Sequence, residues 1–160
     1  MKNTQIRFAT PDDVALILGF IRELAAYEKM SDQVVADEAL LTEWIFDNKK
    51  AEVIFAMEDG KEVGFALFFH NFSTFLGRAG IYLEDLFVSP DYRGHGHGKA
   101  LIRRLAQIAV ERGCGRLEWS CLDWNKPSID FYLSLGAEQM NEWTVYRFAG
   151  DSLRTLADGE

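Results

Sequence analysis

The sequence predicts an α/β protein built on one mixed sheet, in the order β-α-α-β-β-β-α-β-α-β-β. Three observations carry that expectation. Two apolar runs, VIFAM (53–57) and VGFALFF (63–69), flank EDGK, the pattern of a two-strand turn. Apolar residues recur at spacings of three and four after residue 13 and again after residue 100, the period of amphipathic helices. Between these, IYLEDLFV (81–88) runs through the glycine-rich stretch DYRGHGHG (91–98) directly into the later helix and on to another strand. That segment is one crossover unit, so its two strands are parallel while the hairpin is antiparallel.

Taken in order, residues 5–9, QIRFA, alternate weakly and begin the sheet. TPDD follows, with Thr10 as N-cap, Pro11 at the first helical position and Asp13 at the third, which resembles a capping box. Val14, Ile17, Leu18, Ile21, Leu24 and Ala25 then line one face of the first helix. A second helix is expected over 36–47, with Leu40, Leu41, Trp44 and Ile45 buried. The hairpin strands are nearly continuous in apolar residues, which places them centrally with covered faces. A polar, Gly-containing loop is expected at 71–79, before the strand at 81–88. Leu101, Ile102, Leu105, Ile108 and Ala109 mark the third helix, ending near Arg112-Gly113. RLEWSCL (116–122) reads as a fifth strand. A short helix spans 127–135, entered through Pro127 and stopped by Gly136, and a strand pair fills 137–149 with WTVYRF as its second member.

The chain has 160 residues with no linker, repeat or low-complexity stretch, so a single domain over 1–160 is expected. Apolar residues make up 48% and charged residues 26%, the balance of a soluble globular protein. A net charge of −8 opposes a nucleic-acid-binding role and suits a cationic ligand. Cys114 and Cys121 do not make a disulfide framework and read as reduced thiols. The N-terminal MKNTQIRFATPDD lacks the apolar core of a secretory signal, and runs such as GFALFF are too short to span a bilayer. A cytoplasmic protein with no membrane or nucleic-acid partner is the expectation.

A strand, a glycine-rich turn and a helix together present unpaired backbone N–H groups to an anion. The P-loop pattern is absent, because Lys99 is followed by Ala100. The dinucleotide pattern G-x-G-x-x-G needs a different spacing. What remains is R-x-x-G-x-G, as Arg93-Gly94-His95-Gly96-His97-Gly98. A flexible solvent loop is the alternative, although it gives no reason to set an arginine and three glycines against a helix start.

That hexapeptide resembles the pyrophosphate-binding signature of the Gcn5-related N-acetyltransferases (GNAT), which hold coenzyme A. IYLEDLFVSPDYRGHGHG, WNKPSIDFYLSLGA and RELAAYEK are in turn similar to the spermidine/spermine and thialysine N-acetyltransferase branch, over roughly residues 5–156. One departure is the tight turn at 58–62, where a longer insert is expected in animal members. The resemblance implies a mixed, mostly antiparallel sheet of six to seven strands and about four helices, with a splayed parallel pair at the cofactor site. It also implies acetyl-CoA as cosubstrate and a homodimer.

Acetyl transfer needs the amine deprotonated, and with a pKa of about 10.4 only about one alkylamine in a few thousand is neutral at pH 7. The resemblance makes Glu84 the base, acting through a water; the alternative is a solvent-facing strand acid. Strand alternation puts Glu84 and Asp85 on opposite faces, so both line one site only across a β-bulge, which the family is known for here. Backbone groups of Leu86, Phe87 and Val88 are expected to meet the pantetheine arm, with the Val88 N–H as oxyanion donor. Arg93 and the amides of Gly94, His95, Gly96, His97, Gly98 and Lys99 are expected to take the pyrophosphate, unless Arg93 pairs with Asp91 instead. Asn125, Ser128 and Tyr132 stack on one helix face, suited to the sulfur end of the cofactor, with Tyr132 as the acid that protonates the thiolate; a buried structural tyrosine has the same spacing.

Tyr27 and Glu28 fall in a segment resembling the acceptor region of the polyamine branch, where Glu28 and Asp85 with an aromatic wall would hold a diamine. Glu28-Lys29 is otherwise an ordinary solvated pair. His95 and His97 lack a third ligand in any nearby Cys or His spacing, so no metal site is expected. No Cys-His pairing is recoverable, and His70 has no partner legible in the sequence. The expected function is direct acetylation of a small polyamine or lysine analogue in a ternary complex. The alternatives are another amine (an amino acid, an aminoglycoside or a protein lysine) and a non-catalytic acyl-CoA sensor.

Overall fold

The computed structural model describes residues 4–159. Strands β1 (Gln5–Phe8), β2 (Glu52–Glu58), β3 (Lys61–Ser73), β4 (Arg78–Val88) and β5 (Leu117–Trp119) form one sheet in that order. The first four are antiparallel to their neighbours, and β5 joins β4 in parallel after a crossover through α3 (His97–Glu111). The other helices are α1 (Val14–Tyr27), α2 (Glu38–Leu41), α4 (Lys126–Ser134) and α5 (Asp151–Ala157). The chain forms two compact units, one up to Ser120 and one from Cys121 onward.

The continuous apolar runs of β2 and β3 have both faces covered, as their composition predicts. Ile54, Ala56, Ala66 and Phe68 pack with Leu101, Leu105 and Ile108 of α3. Val53, Phe55 and Phe65 pack on the opposite face with Ile17, Phe20 and Leu24 of α1. Phe20 stacks on Phe65 with centroids 5.3 Å apart and planes 8° from parallel. The turn Asp59-Gly60 closes the β2–β3 hairpin. The Thr10–Asp13 capping box forms ahead of α1. Asp13 also accepts from both Arg7 amino groups at 2.8 and 2.9 Å, and this hydrogen bonding holds its carboxyl at about 2. Arg7 reaches Glu62 as well, so one guanidinium joins β1, the start of α1 and β3.

Four expectations are corrected. The segment 71–79 is not a loop: β3 runs to Ser73 and β4 starts at Arg78, with Asn71 opposite Gly80. Gly80 marks a close approach there, because a Cβ would lie 2.5 Å from Asn71 Oδ1. The second helix is α-helical only to Leu41 and continues as a π-helical turn over Thr42–Asp47. The wider winding breaks the 3.6 period, leaving Trp44 51% exposed while Ile45 is buried; Leu40, before the π turn, is also exposed, at 41%. The fifth strand pairs over three residues rather than seven. Finally, no strand pair forms at 137–149, so among the described residues the sheet has five strands rather than six or seven, and α5 raises the helix count to five. WTVYRF has strand-forming side chains, but a strand exists only against a partner edge, and Trp143, Val145 and Tyr146 stay largely exposed. No helix among the described residues is long and apolar enough to cross a membrane.

Candidate active site

The site grows from an irregularity in β4. Leu67 pairs with Asp85 and Phe68 with Leu83, so Glu84 has no partner of its own and the strand bulges. Leu83 and Leu86, three apart, therefore both pack on the α3 side. Asp85, opposite Leu67, shares the α1 side with Phe87. The parallel ladder with β5 also ends at Leu83–Trp119. Residues 84–88 thus keep no strand partner on that edge among the described residues.

Glu84 is exposed at the bulge, Asp85 is partly buried, and Glu28 follows the last turn of α1. Burial, together with the charges of Glu84 and Glu28, pushes the Asp85 carboxyl up to about 7. Burial also raises Glu28. The fold has drawn three carboxylates from two elements into one electrostatic neighbourhood, where a bound cation relieves their repulsion.

Arg93 lies across the end of β4. Its Nε donates to Val88 O at 3.0 Å, and its guanidinium sits 5.0 Å from the Tyr27 ring centroid and 5.3 Å from that of Phe87. It forms no ion pair with Asp91. Tyr27, Arg93 and Phe87 therefore meet, joining residues expected of the acceptor site and of the cofactor site. Beyond Arg93 the three glycines divide by conformation. Gly94 (φ +81°) and Gly96 (φ +89°) are left-handed, whereas Gly98 lies inside the first turn of α3. His97, Gly98 and Lys99 are the first three residues of α3, so their amides have no acceptor within the helix. Arg93 and Lys99 are exposed beside them, and residues 93–99 carry no carboxylate, an arrangement whose chemistry suits an anion.

Beneath the loop the structure places a group that the sequence does not reveal. Glu58 Oε1 lies 2.7 Å from His95 Nδ1 and 3.0 Å from His97 Nε2, and Thr4 Oγ1 lies 2.8 Å from His97 Nδ1. Glu58 and His97 are buried. The sequence offers no third partner for the two histidines because Glu58 stands 37 residues before His95. Sheet register supplies it: the end of β2, the start of β3 and the end of β4 share one end of the sheet. The other histidine, His70, reaches Gly80 O at 3.0 Å, and Cys114 Sγ lies 3.8 Å from the same Nδ1.

Asn125, Ser128 and Tyr132 belong to the second unit. Asn125 is the N-cap of α4 and its side chain accepts from the Ser128 amide at 3.4 Å. Tyr132 lies on the same helix and Gly136, at φ +94°, ends it.

Comparison with known proteins gives a consistent result. A family model described as acetyltransferase (GNAT) matches residues 19–137. The thialysine N-epsilon-acetyltransferase of Bos taurus is 40% identical over 169 residues, covering 98% of this chain and 99% of that protein. The L-ornithine N5-acetyltransferase NATA1 of Arabidopsis thaliana is 31% identical over 199 residues, covering 96% and 87%. Among solved structures, an integron cassette protein from the mobile metagenome of V. cholerae superposes with a TM-score of 0.82 at 32% identity, covering 99% of this chain and 100% of that one.

Proposed function

The chain belongs to the acetyltransferase (GNAT) family and is an N-acetyltransferase, and from that premise we propose that it acetylates the terminal primary amine of a lysine analogue or small polyamine. The observation that carries the substrate class is the carboxylate group at the β4 bulge, Asp85 with Glu84 and Glu28. An ammonium entering there neutralises a site that is otherwise costly to ionise. Two of the similar proteins, named for thialysine and ornithine, act on diamino acids, which supports the same class.

Acetyl-CoA is the acetyl donor of the family. The residues present fit it: left-handed glycines at 94 and 96, bare amides at the start of α3 and an unpaired β4 edge. Arg93 and the amides of Gly94 to Lys99 would hold the diphosphate, and the backbone of Leu86, Phe87 and Val88 the pantetheine arm. When bound, it supplies a thioester carbonyl whose developing negative charge the Val88 N–H would meet. Glu84, exposed at the bulge, takes the amine's proton through a water and passes it on to Asp85, the carboxylate tuned near neutrality and the final proton acceptor. Tyr132, with Asn125 and Ser128 on α4, is assigned to the sulfur end as proton donor to the thiolate.

Transfer is direct, in a ternary complex, and both units act as one acetyltransferase domain; the family match runs across their boundary. The working form is a cytoplasmic homodimer, with the exposed apolar segment around Trp143, Val145 and Tyr146 as a surface a second copy would cover. Light scattering should give twice the chain mass.

Thiol release from acetyl-CoA across an amine panel tests the reading. Thialysine, ornithine, lysine and short diamines should exceed monoamines by at least about tenfold in kcat/KM, since one charge-assisted contact contributes about 1.5–3 kcal/mol. Tyr132→Phe should lower kcat about tenfold or more. Acetyl-CoA binding with no thiol release from any amine would make the chain an acyl-CoA sensor.

A further inference from the structure

Three side chains converge under the glycine loop: Glu58, His95 and His97 each offer a ligand atom within 4.8 Å of the others, and Glu58 Oε1 faces His95 Nδ1 and His97 Nε2. We propose that Glu58, His95 and His97 form a binding site for a divalent transition-metal ion of the zinc class. Two imidazoles and a carboxylate are a donor set that such ions take with one position left open. The Glu58 side chain is 5% exposed and that of His97 0%, so both are held in place, whereas His95 at 35% gives the ion a route in and a solvent-facing position.

The second partner of His97 favours the same assignment. As a hydrogen-bonded trio, each imidazole donates an N–H to the one Glu58 oxygen. To bind an ion, each ring moves its proton to its other nitrogen, so no proton leaves a neutral imidazole. At His97 that proton then sits on Nδ1, 2.8 Å from Thr4 Oγ1, and a hydroxyl accepts as readily as it donates. Thr4 is therefore placed to fix the metal-binding tautomer and the ring's orientation, the part that outer hydrogen bonds play around metal ions. Bonds of about 2.1 Å in a tetrahedron set ligand atoms roughly 3.4 Å apart. The present separations of 2.7 and 3.0 Å need only a small widening, which the exposed His95 ring can take up.

The ion's location gives it a consequence. His95 precedes α3 and His97 opens it, and their own amides belong to the proposed anion cradle, so the dication would add positive charge close to a bound diphosphate and outweigh the Glu58 carboxylate. Ion and acetyl-CoA should each strengthen the other's binding by the same factor. This coupling rests on the cofactor reading of the loop, whereas ion binding itself does not.

The test titrates the chelator-treated full chain with zinc chloride by calorimetry and with cobalt chloride by visible absorption. One equivalent should bind, with cobalt showing the intense bands of low coordination. His95→Ala and Glu58→Gln should each weaken zinc at least about tenfold, at the scale expected for removing a ligand or its support. Circular dichroism checks the fold of each variant, and if Glu58→Gln does not fold, the exposed His95 decides alone. Absence of saturable binding, or binding unchanged by His95→Ala, overturns the site and leaves the trio a hydrogen-bonded anchor for the loop. Acetyl-CoA affinity measured with and without zinc should rise several-fold; zinc binding with no such change would overturn the coupling alone.

Discussion

Gly96→Val should weaken acetyl-CoA binding by about a hundredfold, while Gly98→Ala should fold as well as the parent. Gly96 is the N-cap of α3 at φ +89°. A side chain in that region costs about 1–2 kcal/mol per residue, and a β-branched one more. The chain would relieve the strain by rotating out of the left-handed well. That rotation turns the amides of Gly96 and His97 away from a shared anion, and each charge-assisted bond lost is worth about 1.5–3 kcal/mol. A hundredfold loss corresponds to about 2.7 kcal/mol, within reach of one such bond plus residual strain. Gly98 is different in kind, since it is helical, where alanine is favoured over glycine by about 1 kcal/mol. If Gly98→Ala stabilises the fold but still weakens acetyl-CoA, that third glycine serves close approach of the ligand. Calorimetric affinity and thermal melting of the two variants separate these roles, and an unchanged affinity for Gly96→Val would remove the loop from the cofactor site.

The difference between those glycines was not legible in the sequence, where all three look alike. What was legible is what local chemistry fixes. EDGK, the Thr10–Asp13 box and the apolar periods of α1 and α3 are patterns in which neighbours along the chain decide the outcome. The π-helical turn at 42–47 was not, because a single extra residue per turn leaves no compositional trace. Nor was α5, whose apolar residues Leu153 and Leu156 are too few to show a period. Residues 137–149 erred in the other direction: strand propensity is present, but pairing depends on an edge supplied from elsewhere. At the site, the bulge was expected from resemblance, since alternation alone separates Glu84 from Asp85. Glu58 was invisible, because its meeting with His95 and His97 is made by sheet register across 37 residues. Sequence thus exposed the loop and the acids, and only the folded sheet showed what supports the loop.

Asp85→Asn should lower kcat/KM for amines by about a hundredfold, within the range that a positioned base contributes. It should also remove the rise in activity through pH 7. The carboxyl is pushed up to about 7 by burial and by Glu84 and Glu28, so the ionised form that accepts a proton fills only above that pH. Glu84→Gln should lower the rate less, about tenfold, and keep a rise that moves to lower pH because one source of repulsion is gone. Stability runs the opposite way. With a folded value above the unfolded one of about 3.9, the native state holds a proton that the unfolded state has lost between about pH 4 and 7. Wild-type stability therefore falls as pH rises across that window, and the deficit persists above it. Three pKa units would be about 4 kcal/mol; partial solvent access reduces this to about 2 kcal/mol. Asp85→Asn should accordingly melt about 5 °C higher than wild type at pH 8 and equal it near pH 4. The ionised Asp85 that catalysis uses is the form the fold tolerates least, and an ammonium beside it offsets that cost. Diamines should raise the wild-type melting temperature more at pH 8 than at pH 5, and should do so weakly in Asp85→Asn. Equal melting of the two proteins at pH 8 would show that Asp85 ionises without strain and is not the group that sets the pH dependence.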